Sequence, residues 1–215
     1  MHTLTYPEFQ RDAEPVLRQV FVGNHDAEPF QSHVEDRLFL FLPDGGDLER
    51  KHYWKRQLAE ALAHAAQSIG DTGSYLAVFW ELSKEPLENA YAYIPISELV
   101  DALAYPPCPH GGSKQVWAQL DVPSGLGYCL CSTNGSWGLL TTMDEYGFLG
   151  GSSEFMQAVR SYFPDIEKEV LEFLHDLRLD QIYGDKINME WLKQVLGHVY
   201  GAKTAQQLIV DSGLV

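Results

Sequence analysis

Cys108 and His110 flank Pro109, and after eighteen intervening residues Cys129 and Cys131 flank Leu130. Thiolate sulfur and imidazole nitrogen are the ligands that tetrahedral zinc takes, so these four side chains are the first chemistry to weigh. A single residue inside each pair is shorter than the spacing by which a chain ordinarily curls around a metal. On a strand, Cys129 and Cys131 would share one face about 6.6 Å apart, which suits packing as well as ligation. The sequence leaves open whether Cys108, His110, Cys129 and Cys131 converge, and it assigns neither a metal nor a cofactor. Cys108 with His110 as a base is also the enzymatic reading, a small-molecule enzyme built on the Pro/Gly-rich loop 105–112.

Other chemistry-bearing residues lack the spacing that would commit them. His52, Glu60 and His64 fall on one helix face with Arg56, but without the His-Glu-x-x-His order of a metalloprotease. Asp44 and Asp47 flank two glycines, and Asp144 and Glu145 are adjacent; acids in a turn can bind a cation or simply solvate it. The pairs Gly45-Gly46, Gly111-Gly112 and Gly150-Gly151 complete neither phosphate-binding glycine fingerprint. Ser152 and Ser153 precede a helix and read as caps, not as a nucleophile elbow. Residues 50–56 set Tyr53 and Trp54 between basic side chains, a basic-aromatic patch of the kind that contacts single-stranded nucleic acid. Whole-chain charge opposes that use. Thirty acids against fifteen Lys and Arg give −15 over 215 residues, and phosphate backbones repel such a surface.

Resolved along the chain, the charge is more informative. Residues 61–155 carry ten acids and two basic side chains, or −8. An acidic surface steers a basic partner and rejects acidic ones, but desolvated apolar anchors must supply the affinity. Tyr128, Trp137 and Tyr146, with Asp144 and Glu145 beside them, are the predicted protein-binding residues.

The elements that must position these residues follow from periodicity. A helix is predicted over 8–22, with Pro15 unsettling its start, and a strand over 37–42. The clearest helix spans 48–69, where Trp54, Leu58, Ala61, Leu62, Ala65 and Ile69 form one stripe. Apolar residues on both sides of 74–81 predict a central strand covered on two faces. A short helix follows over 98–103, capped by Ser97. Strands are predicted over 116–120, 127–131 and 136–141, the last two joined by a hairpin at Asn134-Gly135. Gly147 to Gly151 reads as a break. Helices then begin at Ser152 or Ser153, at Pro164 with Ile166, Val170, Phe173, Leu174 and Leu177 on one stripe, around Trp191, and at Thr204. The fold class expected is α+β, a small mixed or antiparallel sheet packed against several helices. It forms one domain over 1–215, with 152–215 as a candidate C-terminal helical subdomain. The opening residues lack the basic and apolar regions of a signal peptide, and no run is long enough to span a bilayer, so a cytoplasmic protein is expected.

The segments Asn134-Gly135-Ser136-Trp137-Gly138-Leu139-Leu140 and Asp144-Glu145-Tyr146-Gly147-Phe148-Leu149-Gly150-Gly151 resemble segments of bacterial toxin-immunity proteins. The resemblance implies inhibition of a toxin through an acidic or aromatic surface. The expected function is therefore a noncatalytic protein-binding module that occludes a basic bacterial toxin, with the Cys108 and His110 enzyme as the alternative.

Overall fold

A computed structural model of the chain describes residues 1–23, 27–41, 48–78, 90–103, 127–142, 146–184 and 186–214, with the backbone alone over 48–55. The expectations for Asp44, Asp47, Cys108, His110, Asp144, Glu145, the strand 116–120 and the side chains of His52 and Trp54 lie outside the described residues.

After the two-residue strand β1 (His2–Thr3), helix α1 (Tyr6–Glu8) opens on a capping box. The Thr5 hydroxyl accepts the Glu8 N–H, and the Glu8 carboxylate accepts the Thr5 N–H at 2.8 Å. The chain passes through a π turn at Phe9–Ala13 into α2 (Glu14–Val20). Pro15 accounts for that turn. It has no N–H to donate, and its ring would clash with the carbonyl four residues back, so the helix widens by one residue before it. The Glu14 N–H bonds to the Phe9 carbonyl.

Strands β2 (Asp36–Phe41), β3 (Gly73–Val78), β4 (Tyr91–Pro95), β5 (Tyr128–Ser132), β6 (Trp137–Thr141) and β7 (Tyr146–Gly151) join β1 in one antiparallel sheet, ordered β1-β4-β3-β5-β6-β7-β2. The α+β class with an antiparallel sheet is as the sequence predicts; at seven strands among the described residues, the sheet is larger than expected. Two of its strands, β1 and β4, carry no signal that the sequence reading recognised. The third difference is β7, predicted as a break and found wholly buried. Its glycines are needed for close approach. A β-carbon on Gly150 would sit 2.9 Å from Phe30 and Val34, and one on Gly151 would sit 2.8 Å from the β-carbon of Trp137. The β5–β6 hairpin turns as predicted, with Gly135 at φ +73°.

Helices cover both faces of the sheet. On one, Phe9 stacks on Tyr91 at 3.9 Å, and Val20 and Phe21 lie against Gly138. The long helix α3 (Leu48–Ser68) presents a small-residue face of Ala59, Ala61, Ala63, Ala65 and Ala66 around Leu58 and Leu62. It packs against α4 (Leu99–Leu103) and α5 (Ser153–Tyr162), and α5 lays Phe155 over Trp137 on the other face. Ser152 caps α5 as predicted. Ser97 does not cap α4; it lies inside a tight turn, Ile96–Glu98, that already follows Pro95.

A tight turn at Pro164–Lys168 leads into α6 (Glu169–Tyr183), followed by α7 (Met189–Tyr200) and α8 (Ala202–Ser212). Thr204 falls within α8, whose cap position is Gly201. Helices α6 and α7 pack on β2, where Phe173 meets Phe39 at 4.7 Å. Arg160 of α5 grips Asp36 at the start of β2 through contacts of 2.6 and 2.7 Å and bonds Glu167 at 2.7 Å. Among the described residues, no helix is long and apolar enough to cross a membrane.

Candidate protein-binding surface

The structure places two of the three predicted anchors, Trp137 and Tyr146, in the interior. Trp137 is 0% exposed, stacked on Phe155 at 4.9 Å with an interplanar angle of 1°. Tyr146 is buried among Phe39, Phe148, Phe173 and Trp191. Tyr128 is half-buried, its N–H donating to Thr141 Oγ1 at 3.0 Å, and burial pushes its hydroxyl well above the ordinary phenol range. Trp137 and Tyr146 are thus not available to a partner, which corrects the expectation. The physical reason is the second helical layer: with both sheet faces covered, aromatics on either side of a strand point inward.

Trp137 instead belongs to a polar device that fixes the β5–β6 turn. Its Nε1–H donates to Asp71 Oδ2 at 2.8 Å, the Ser136 hydroxyl donates to the same oxygen at 3.2 Å, and Asn134 Nδ2 donates to Oδ1 at 2.6 Å. Ser132 then donates to Asn134 Oδ1 at 2.7 Å, and the Ser136 N–H donates to Ser132 Oγ at 2.8 Å. These bonds hold a buried carboxylate by satisfying it. A cleft of about 370 Å³ lies beside the turn, lined in part by His33, Glu35, Ser136, Ser152 and Ser153. Both serines best placed for chemistry already serve structure: Ser136 binds Asp71, and Ser152 Oγ accepts the Phe155 N–H at 3.3 Å.

Cys129 and Cys131 are buried on the sheet face that also carries Tyr75. Burial, with Cys129 alongside, pushes the Cys131 thiol far up, the reverse of what a nucleophile needs. Among the described residues, no three His, Cys, Asp or Glu side chains gather as they would around a metal. On α3, Arg56 and His64 are exposed, and Arg56 pairs with Glu60 at 2.9 Å on the solvated face.

Among the described residues, four of the exposed large apolar side chains lie on a single helix. Helix α6 buries Val170, Phe173 and Leu174 as predicted, yet it leaves Leu171 51%, Leu179 37%, Ile182 62% and Tyr183 84% exposed. At 3.6 residues per turn, Leu171, Ile182 and Leu179 fall within an arc of about 80°, which the exposed His175 interrupts on the turn between Leu171 and Leu179, with Tyr183 a further 40° or so round. Glu172, Asp176, Glu169 and Asp180 follow on the same side, between this stripe and the buried one. Arg178 borders the stripe on its other side, next to Gly213 at the end of α8. Sequence reading saw only the inner stripe of α6. The signal it passed over was a second apolar set at helical spacing in the same helix.

Among the described residues, the sheet edges offer little length for strand addition. One edge strand, β1, has two residues. At the other, the Phe39 N–H of β2 donates to the Tyr200 hydroxyl at 3.1 Å, and Arg37 is tied to the His198 carbonyl at 2.6 Å. Burial draws the Arg37 guanidinium below its ordinary value. Such covering is how a sheet edge avoids pairing with other chains. No protein-family model, curated protein or solved structure matches the chain.

Proposed function

We propose that the chain is a noncatalytic protein-binding module that occludes the surface of a basic protein. The two segments resembling toxin-immunity proteins make a bacterial toxin the partner class. One observation carries the reading: the outer face of α6 exposes Leu171, Leu179 and Ile182 beside Glu172, Asp176 and Asp180. Apolar anchors supply desolvation energy, and the flanking carboxylates with the chain's −15 charge accelerate encounter with a positive surface. Only the acidic character is kept from the sequence reading: both the acids and the anchors move, from residues 61–155 to α6.

Capture at low salt from a strain encoding candidate toxins, followed by binding of each purified candidate, tests the reading. A basic protein held at defined stoichiometry by the wild type, and at least tenfold more weakly by Ile182→Asp, supports it. Equal binding by wild type and variant, or exclusive binding of acidic proteins, overturns it. The alternative enzyme would require activity lost on Cys108→Ser.

A further inference from the structure

Resting on that reading, we infer that the partner meets α6 with an amphipathic helix whose apolar strip packs on Leu171, Leu179 and Ile182. Its Lys or Arg residues line the one edge that faces Glu172, Asp176 and Asp180.

Backbone chemistry narrows the choice first. The interior amides and carbonyls of α6 bond to one another within the helix, so this surface offers a partner only side chains. An extended peptide gains most of its affinity by donating to and accepting from a strand edge. The two sheet edges are short or covered, and α6 provides no such ladder. A helix brings its own satisfied backbone and meets the stripe with side chains alone.

Dimensions agree with that choice. From Leu171 to Ile182 is eleven residues, about 16 Å at 1.5 Å per residue, or three turns. A partner helix lying along this row places residues at i, i+4, i+7 and i+11 against it, the outer two meeting Leu171 and Ile182 and the inner two meeting His175 and the Leu179 side chain beside Arg178. Charge then excludes a second copy at neutral pH, because both molecules carry −15 and the acids flank the contact itself. The acids also lie on one side of the stripe only, with Arg178 on the other. A partner helix with basic residues along a single edge therefore docks in one orientation.

The test uses the full chain and three labelled sixteen-residue peptides: a helix former with Leu at i, i+4, i+7 and i+11 and Lys along one flank, its Glu-for-Lys counterpart, and a scramble of the Lys peptide. Fluorescence anisotropy should show the Lys peptide binding at least tenfold tighter than either control, weakening between 50 and 500 mM salt, and gaining helical circular dichroism on binding. Leu171→Asp and Ile182→Asp, both at exposed positions, should each reduce binding at least tenfold at unchanged melting temperature. Val22→Asp, exposed outside α6, should not. Equal binding of the scramble, binding without gain of helix, or indifference to both α6 variants overturns the inference. So does neutral-pH dimerisation of the wild type that Ile182→Asp abolishes, since a second copy would then be the occupant. If the peptides fail while a basic partner is still captured by the wild type and lost by Ile182→Asp, the helix inference falls and the protein-binding reading stands. If Ile182→Asp keeps that partner, the reading itself falls.

Discussion

Two side-chain contacts show how single residues hold the sheet. Asp71 receives Trp137, Asn134 and Ser136, and the indole N–H is the donor with least recourse to water, since Trp137 is fully enclosed. Leaving a buried donor unmet costs about 1–3 kcal/mol, so Asp71→Ala should destabilise by at least that amount in urea unfolding. Trp137→Phe removes the same donor along with some packing. The double variant should then cost less than the sum of the single ones, a coupling of about 0.5–3 kcal/mol in a double-mutant cycle. Strict additivity would mean that the bond at 2.8 Å contributes nothing. Tyr200 makes the corresponding contact at the sheet edge by accepting the Phe39 N–H. Burial pushes its hydroxyl up to about 12 from 10.0, with the Phe39 bond pulling the other way. The folded state therefore keeps a proton that the unfolded chain releases near pH 10. The stabilisation is complete below that pH and is lost as pH rises toward 12. Tyr200→Phe should lower stability at pH 8 by about 1–3 kcal/mol through the orphaned N–H, and it should flatten the decline between pH 10 and 12. Urea midpoints at pH 8 and pH 11 for both proteins check both halves.

At the scale of elements, the long helices and the β5–β6 hairpin were legible because one physical signal dominated each. The alanine- and leucine-lined α3 repeats at the helical period, and Asn134-Gly135 supplies the turn between two apolar runs. Strand β7 was not legible because its glycines answer to neighbours distant in sequence. Gly150 makes room for Phe30 and Val34, a constraint visible only when the loop before β2 is folded over the sheet. Strand β4 was not assigned from sequence; it is short, ends at Pro95, and becomes evident once Tyr91 to Pro95 pair with β3. Glycine substitutions separate these roles. Gly150→Ala should destabilise by about 1–3 kcal/mol through overpacking. Gly197→Ala, inside α7 with nothing within 4 Å of the new methyl, should stabilise by about 0.5–1 kcal/mol. Melting temperatures of the two variants should shift in opposite directions.

Over the whole molecule, composition announced an acidic surface, but only the fold tells which apolar side chains share it. Trp137 and Tyr146 looked like anchors because aromatic residues beside acids are typical of interfaces. The fold spends them on the core because helices cover both sheet faces. Leu171, Leu179, Ile182 and Tyr183 were hidden in the opposite way, inside a helix already explained by its inner stripe. Once these residues are seen to be exposed, the −15 charge acquires a second role: it keeps copies of the chain apart across a surface that would otherwise associate. That role can be titrated. As pH falls toward the sequence pI of about 4.8, the eight histidines gain charge and a fraction of the Glu and Asp take up protons, so mutual repulsion fades and apolar attraction through α6 is less opposed. Sedimentation should find a monomer at pH 7.5 and low salt, and self-association near pH 5 while circular dichroism remains native. Ile182→Lys should suppress that association far more than Val22→Lys, which adds the same charge elsewhere. Equal suppression would assign the effect to net charge alone and would leave the α6 stripe without a part in it.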